Sequence, residues 1–205
     1  MLDNPHIPTI QGFPRKTLLS LKDDNQQTCL MIDESDLAFV DLDSSNSLVP
    51  TIRPNLIVLR TVTESHGWLG LGPNYFAAGN LDLHSFLARR SSPTLVPGWV
   101  QQTGLELVHQ EPTVQREELA DFRHEILPQL QCHSHLKIIP GNAPYDLLKA
   151  TSDLFATLGK QHSAIDLTMR WGEHYSGLTY NHLHFALWHH EGLQQFLSVL
   201  KQLEY

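Results

Sequence analysis

From Asn80 to the C-terminus the chain carries cap and stop signals at such regular intervals that few architectures accommodate it. Asn80 is placed to cap a helix over LDLHSFLARRSS, where Leu83, Phe86 and Leu87 fall on one side and Pro93 marks the stop. GWVQQTGLELVHQ (98–110) reads as a hairpin with Thr103-Gly104 near its turn. VQREELADFRHEIL reads as a short helix halted by Pro128, and LQCHSHL (130–136) as a strand. Asn142 then caps another helix, with Pro144 in the first turn, where its missing N–H costs nothing. In that helix Leu147, Thr151, Leu154, Phe155 and Leu158 keep the 3.6-residue period, and Gly159 ends it. AIDLTMRW and LTYNHLHFALWH make two more strands, and GLQQFLSVLKQLEY a final amphipathic helix. The order helix, hairpin, helix, strand, helix, strands, helix predicts an α/β (α+β) domain, a sheet flanked by helices.

The first 79 residues follow another pattern. Residues 1–20 are proline-rich and read as an arm. QTCLMIDESDLAFVDLD reads as two short strands around a polar turn at Glu34–Asp36, and PNLIVLRTVT (54–63) as a third, rich in β-branched side chains. GWLGLGPNYFAAGN (67–80) is glycine-rich and marks a boundary. The expected organisation is a β-rich N-terminal extension over 1–79 and a domain over 80–205.

Composition narrows the function. With 41% apolar and 18% charged residues in 205, the chain is an ordinary globular one, long enough to bury a core. A net charge of −8 and the lack of a Lys/Arg cluster argue against nucleic acid as a partner. No apolar run approaches a membrane span, and MLDNPHIPTIQGFPRK lacks the apolar stretch of a signal peptide. Cys29 and Cys132 are too few for a disulfide framework or a four-thiolate zinc site, so a reduced, cytoplasmic protein is expected. Against that plain background stand 13 histidines, nearly as many as the 14 lysines and arginines together. By composition alone that excess reads as drift, and the sharper alternative is metal or proton chemistry.

The histidines suggest where. On a strand, His133 and His135 of CHSHLKIIPGNAPYD would share one face about 7 Å apart, close enough to converge on one ion. Cys132 would point the other way, into the core. Asp146, in the first turn of the following helix, could supply a third ligand. Two histidines, a carboxylate and a water describe an open, catalytic zinc site. A second pair, His182 and His184, shares a face with Tyr180 and Trp188, while Leu183, Phe185 and Leu187 take the other; this reads as a strand with one core face and one histidine-aromatic face.

His133-Ser134-His135 followed by Asp146 resembles the metal signature of the JAMM/MPN (Mov34, Prok-JAB) metalloproteases. That resemblance implies zinc held by His133, His135 and Asp146, and hydrolysis of a peptide or isopeptide bond at a ubiquitin-like protein, with an E1-like protein as another possible partner. It also implies a glutamate as general base. Leu95 occupies the position of that acid, and Leu136 and Ala143 depart from the family's proline and serine. Glu64, in ESHGWLGLG, fits the wording of the glutamate motif and is the candidate base, with Glu106 and Glu111 behind it. The alternative is a catalytically degenerate scaffold or protein-interaction module of the same fold.

Overall fold

A computed structural model describes the chain except residues 10, 41–44, 69–72, 92–95, 111–112, 140–143, 151–153, 162–164, 166–167, 188–189 and 204–205. It is an α/β protein with a mixed sheet flanked by helices, as the order of its elements indicates. The chain divides into two compact units, one of Met1–Ile7 and Gln11–Arg116, the other mainly of Glu117–Tyr205.

In the first unit β1 (Leu2–Asp3), β2 (Leu30–Asp33) and β3 (Leu56–Thr61) run parallel, and β4 (Asn74–Ala78) pairs antiparallel with β3. The crossover from β1 to β2 is α1 (Arg15–Asp24), and the short helix α2 (Leu37–Val40) follows β2. Leu56, Ile57 and Val58 are all buried, so β3 is covered on both faces, the condition that makes a parallel strand read as a continuous apolar run. Leu18 of α1 joins Ile32, Leu48, Leu56 and Val58 in one core cluster.

Beyond β4 come α3 (Leu81–Arg90) and α4 (Gly98–Leu107). Asn80 caps α3 as its sequence position requires: its Oδ1 accepts from Leu83 N at 2.7 Å, and its Nδ2 donates to the Pro54 carbonyl at 2.6 Å. Gly79 just before it lies so close to Arg53 that an added Cβ would sit 1.5 Å from the Arg53 carbonyl oxygen. The expected hairpin over 98–110 is instead α4. Gly104 is not a turn residue but a contact residue, since a Cβ there would meet Pro73 Cγ at 2.1 Å. A glycine required by close approach carries the same letter as one required by a turn.

The long α5 (Thr113–Gln131) runs through Pro128 rather than stopping at it. Ile126 and Leu130 on either side of that proline are fully buried, and their burial holds the helix together past one missing hydrogen bond. The second sheet follows: β5 (Leu136–Ile139), β6 (Tyr145–Ala150), β7 (Met169–Trp171) and β8 (His182–Ala186), in the order β5-β6-β8-β7 and antiparallel throughout. The helix α6 (Leu154–Gln161) joins β6 to β7, and α7 (His190–Leu203) closes the fold. Leu148, Leu183 and Phe185 form the core face of this sheet, with Phe185 stacked on Phe196 of α7 at 5.9 Å.

Two expectations fail here. The segment from Asn142 is not a helix over Leu147–Leu158; Tyr145–Ala150 is the central strand β6, and the helix begins only at Leu154. The 3.6-residue spacing of its apolar side chains arose because Leu147 and Leu148 are buried on opposite faces of a covered strand. Nor is LQCHSHL a strand. Leu130 and Gln131 end α5, and Cys132–His135 form the turn into β5, with His133 N donating to Leu130 O and Leu136 N to His133 O at 3.0 Å. Cys132, expected in the core, is exposed.

Candidate functional site

In an open sheet with parallel strands, ligands bind outside the carboxyl ends of the strands. In the first unit those ends carry a dense polar group. After β1 comes Asn4, fully buried, which exchanges hydrogen bonds with the backbone of Phe13 through both side-chain atoms and donates its own N–H to Asp33 O at 2.7 Å. Asp33 ends β2 and accepts from Ser35 N at 2.9 Å and Ser35 Oγ at 2.5 Å. Thr61 ends β3; its hydroxyl lies 2.5 Å from that of Thr63 and accepts from Thr63 N. A 3-10 turn over Glu64–His66 follows, leading to Gly67 at φ +72°. In that turn Ser65 is fully buried and His66 bridges two elements, with Nδ1 3.0 Å from Ser65 Oγ and Nε2 3.1 Å from Gln110 O. A carbonyl only accepts, so Nε2 donates to Gln110 O.

Beneath these ends lies a buried ion pair. Glu34, with no exposed surface, accepts from Ser47 Oγ and from Leu48 N, each at 2.7 Å. Arg60 of β3 reaches Ser47 Oγ at 3.1 Å and Glu34 Oε2 at 3.6 Å. Tyr75 faces Arg60 across the β3–β4 ladder. Burial pushes its phenol up from the ordinary value, Arg60 pulling it back and Glu34 adding to the rise. A glutamate placed in an expected polar turn gave no sign of this role. The sign was Arg60, a charge within the apolar run LIVLRT, which burial obliges to find a partner.

The second unit holds Asp146 on β6, almost wholly buried, with its Oδ1 accepting from Arg123 of α5 at 2.8 Å. Burial raises its carboxyl to about 7 against the opposing pull of Arg123. On the other face His184 Nδ1 lies 3.1 Å from the Tyr175 hydroxyl, with the rings of Tyr145 and Tyr175 against its own. Burial and then Arg170 bring the His184 imidazole down to about 4, so it is neutral at pH 7. Of the expected division of β8 the apolar face is present, with Leu183, Phe185 and Leu187 buried; on the histidine face Tyr180 is exposed but His182 is buried, and Trp188 lies outside the described residues.

The zinc expectation is corrected by these positions. Among the described residues no group of three or more His, Cys, Asp or Glu side chains could hold a metal ion. His133 is buried in a turn and His135 exposed beside it, so the strand geometry that would align them is missing. Asp146 stands on a central strand bonded to an arginine, not at a helix start. Glu64 belongs to the first unit and opens the 3-10 turn after β3. Glu106 lies on α4, within bonding distance of Gln102 at 3.4 Å. Leu95, Glu111 and Ala143 lie outside the described residues.

No family model matches the sequence, and no curated protein matches it. Solved structures do match its fold. The L-threonine-O-3-phosphate decarboxylase of Porphyromonas gingivalis superposes with a TM-score of 0.78 at 21% identity, over 100% of this chain and 64% of that one. The histidinol-phosphate aminotransferase of Clostridium acetobutylicum gives 0.79 at 20%, over 99% and 63%. That of Sinorhizobium meliloti, solved in complex with pyridoxal-5'-phosphate, gives 0.78 at 16%, over 98% and 55%. The fold is that of these aminotransferases and decarboxylases. It is not the JAMM/MPN fold, and the resemblance carried by His133, His135 and Asp146 is overturned together with the peptidase function it implied. The chain spans 55–64% of the length of these three structures.

Whether pyridoxal phosphate suits this chain depends on its residues. The cofactor is bound through an imine to a lysine, with an acid or arginine at its pyridine nitrogen. Asp33, at a strand end, has the chemistry of the second group. The first is missing: between Lys22 and Lys137 the sequence contains no lysine, so neither β2, β3 nor the turns after them offer an amine. Lys16 and Lys22 both lie on α1, the former exposed and the latter in its last turn, and the other four lysines are in the second unit. The donor set does not fit a covalently held pyridoxal phosphate.

Proposed function

We propose that this chain is a non-covalent binder of a small phosphorylated amino compound, built on the fold of enzymes that transform such compounds. The observation that carries this reading is the lysine-free stretch from residue 23 to residue 136, which spans every strand end of the first unit except that of β1. Two further points support it. The neighbours named as threonine-phosphate decarboxylase and histidinol-phosphate aminotransferase carry phosphorylated amino compounds in their names. Asp33 offers a carboxylate at a strand end, suited to an ammonium group.

The test has two arms. The protein is incubated with pyridoxal phosphate, reduced with borohydride and mapped by peptide mass spectrometry; no lysine is expected to be labelled stoichiometrically. Calorimetry with O-phospho-L-threonine is expected to give saturable binding at one site per chain, weakened in Asp33→Asn. Stoichiometric labelling of a single lysine, or no saturable binding of the phosphoamino acid, would sink the proposal.

The share of the neighbours that is covered favours a second reading. A chain spanning 55–64% of an aminotransferase or decarboxylase could work with the remainder supplied beyond these 205 residues. Labelling of one lysine in the first arm would favour it.

A further inference from the structure

Among the described helices of eight residues or more, α3 alone buries none of its residues. Each of the others, α1, α4, α5, α6 and α7, buries at least two. A ten-residue helix is too short to hold in water on propensity alone and draws its stability from packing an amphipathic face. One side of α3 leans on the sheet, with His84 5.3 Å from the ring of Phe76 on β4 and Leu83 and Leu87 half-buried. The other side carries Phe86, 46% exposed.

That outer side reads the same from both ends. Asp82, Phe86 and Arg90 stand four residues apart, with Arg89 beside the last, and all four are exposed. Each step of four residues is about 6 Å along a helix axis. In an antiparallel pair with its two-fold axis at Phe86, each Asp82 therefore falls level with Arg90 of the other copy, and Phe86 meets Phe86. A symmetric dimer requires a patch that complements itself in this way. Among the described residues Asp82, Arg89 and Arg90 enter no ion pair within the chain, and the Arg90 guanidinium rests 3.9 Å over the Phe86 ring. The helix dipole favours an acid in the first turn and bases in the last, but it gives no reason for an exposed phenylalanine midway between them.

We propose that α3 is the contact of a symmetric homodimer, packed antiparallel against α3 of a second copy. Stable interfaces bury about 1,200–2,000 Å² in total, more than this short helix supplies, so the dimer is weak and concentration-dependent. It goes beyond the binding function proposed above, since nothing in it involves the strand ends.

Sedimentation equilibrium of the full chain from about 1 μM to about 1 mM tests this. A mass rising from one chain toward two, and no further, is expected. Asp82→Arg and Arg89→Asp/Arg90→Asp each set like charges face to face, so each variant alone should stay monomeric. An equimolar mixture of the two restores opposite charges at both ends and should dimerise again. Phe86→Ser, which leaves the charges in place, should weaken the dimer about tenfold. Tyr180→Ser, at an exposed aromatic of the second unit, should change nothing. Circular dichroism on each variant confirms folding. A wild type that stays monomeric throughout, association that continues beyond two copies, charge-reversed variants that dimerise like wild type, a mixture of them that does not dimerise, full affinity in Phe86→Ser, or equal loss in Tyr180→Ser would each overturn the proposal.

Discussion

The two units each bury one acid against one arginine, and they do it differently. In the first, Glu34 has a hydroxyl, a backbone N–H and a guanidinium directed at its two oxygens. In the second, Asp146 has a close guanidinium at one oxygen, while its Oδ2 is buried with no hydrogen-bond partner. Hydrogen bonds to the charged form keep a carboxylate ionised, and desolvation without them favours the neutral acid. Glu34 thus has donors at both oxygens, whereas Asp146 sits where burial has raised it to about 7. One pair is a fixed part of the sheet; the other can be neutralised by a single proton.

That contrast can be broken at several points. Arg60→Leu should have the largest effect, about 3–5 kcal/mol of stability, because it leaves a fully buried acid without its guanidinium partner. Arg123→Leu should cost less, about 1–3 kcal/mol at pH 5, because Asp146 is free to take up a proton instead. Denaturant unfolding of the two variants gives the order directly, and equal costs at pH 5 would remove the distinction.

The pH dependence sharpens it further. An acid whose folded pKa is raised, as for Asp146 from 3.8 to about 7, contributes stability that is full below pH 3.8 and is lost as pH rises toward 7. Arg123→Leu should deepen that loss, so its deficit relative to wild type grows from pH 4 to pH 8. His184 works in the opposite direction. With its folded pKa lowered from 6.5 to about 4, its contribution is full above pH 6.5 and is lost as pH falls toward 4. His184→Phe should remove that acid-side loss, read from unfolding midpoints between pH 4 and 7. The smallest expected effect is local: Asn80→Ala should cost about 1 kcal/mol by removing the cap of α3, without changing either pH profile.

Legibility followed from how local each cause was. The Asn80 cap, the β3 strand, the apolar face of β8 and the amphipathic α7 all depend on residues within one turn or one strand, and all were legible. The hairpin read over 98–110 failed because Gly104 answers to Pro73, more than thirty positions earlier. The helix read from Asn142 failed because Leu147 and Leu148 answer to two opposite sheet faces. The metal site failed with its strand: once His133 and His135 lie in a turn, their spacing has no geometric consequence. Glu34, Ser47 and Arg60 were not singled out because a network joining residues 34, 47 and 60 has no periodic signature.

What the sequence by itself determined is therefore a set of local elements and one chemical fact, the lack of any lysine between Lys22 and Lys137, which holds in any fold. That fact became informative only when the tertiary structure placed the stretch on the strand ends of an aminotransferase-like sheet. Pairing across β2, β3 and β4, and the burial that turned Glu34 and Arg60 into a pair, were decided by contacts between distant segments. Desolvation depends on everything that surrounds a group, and a linear sequence names only its neighbours.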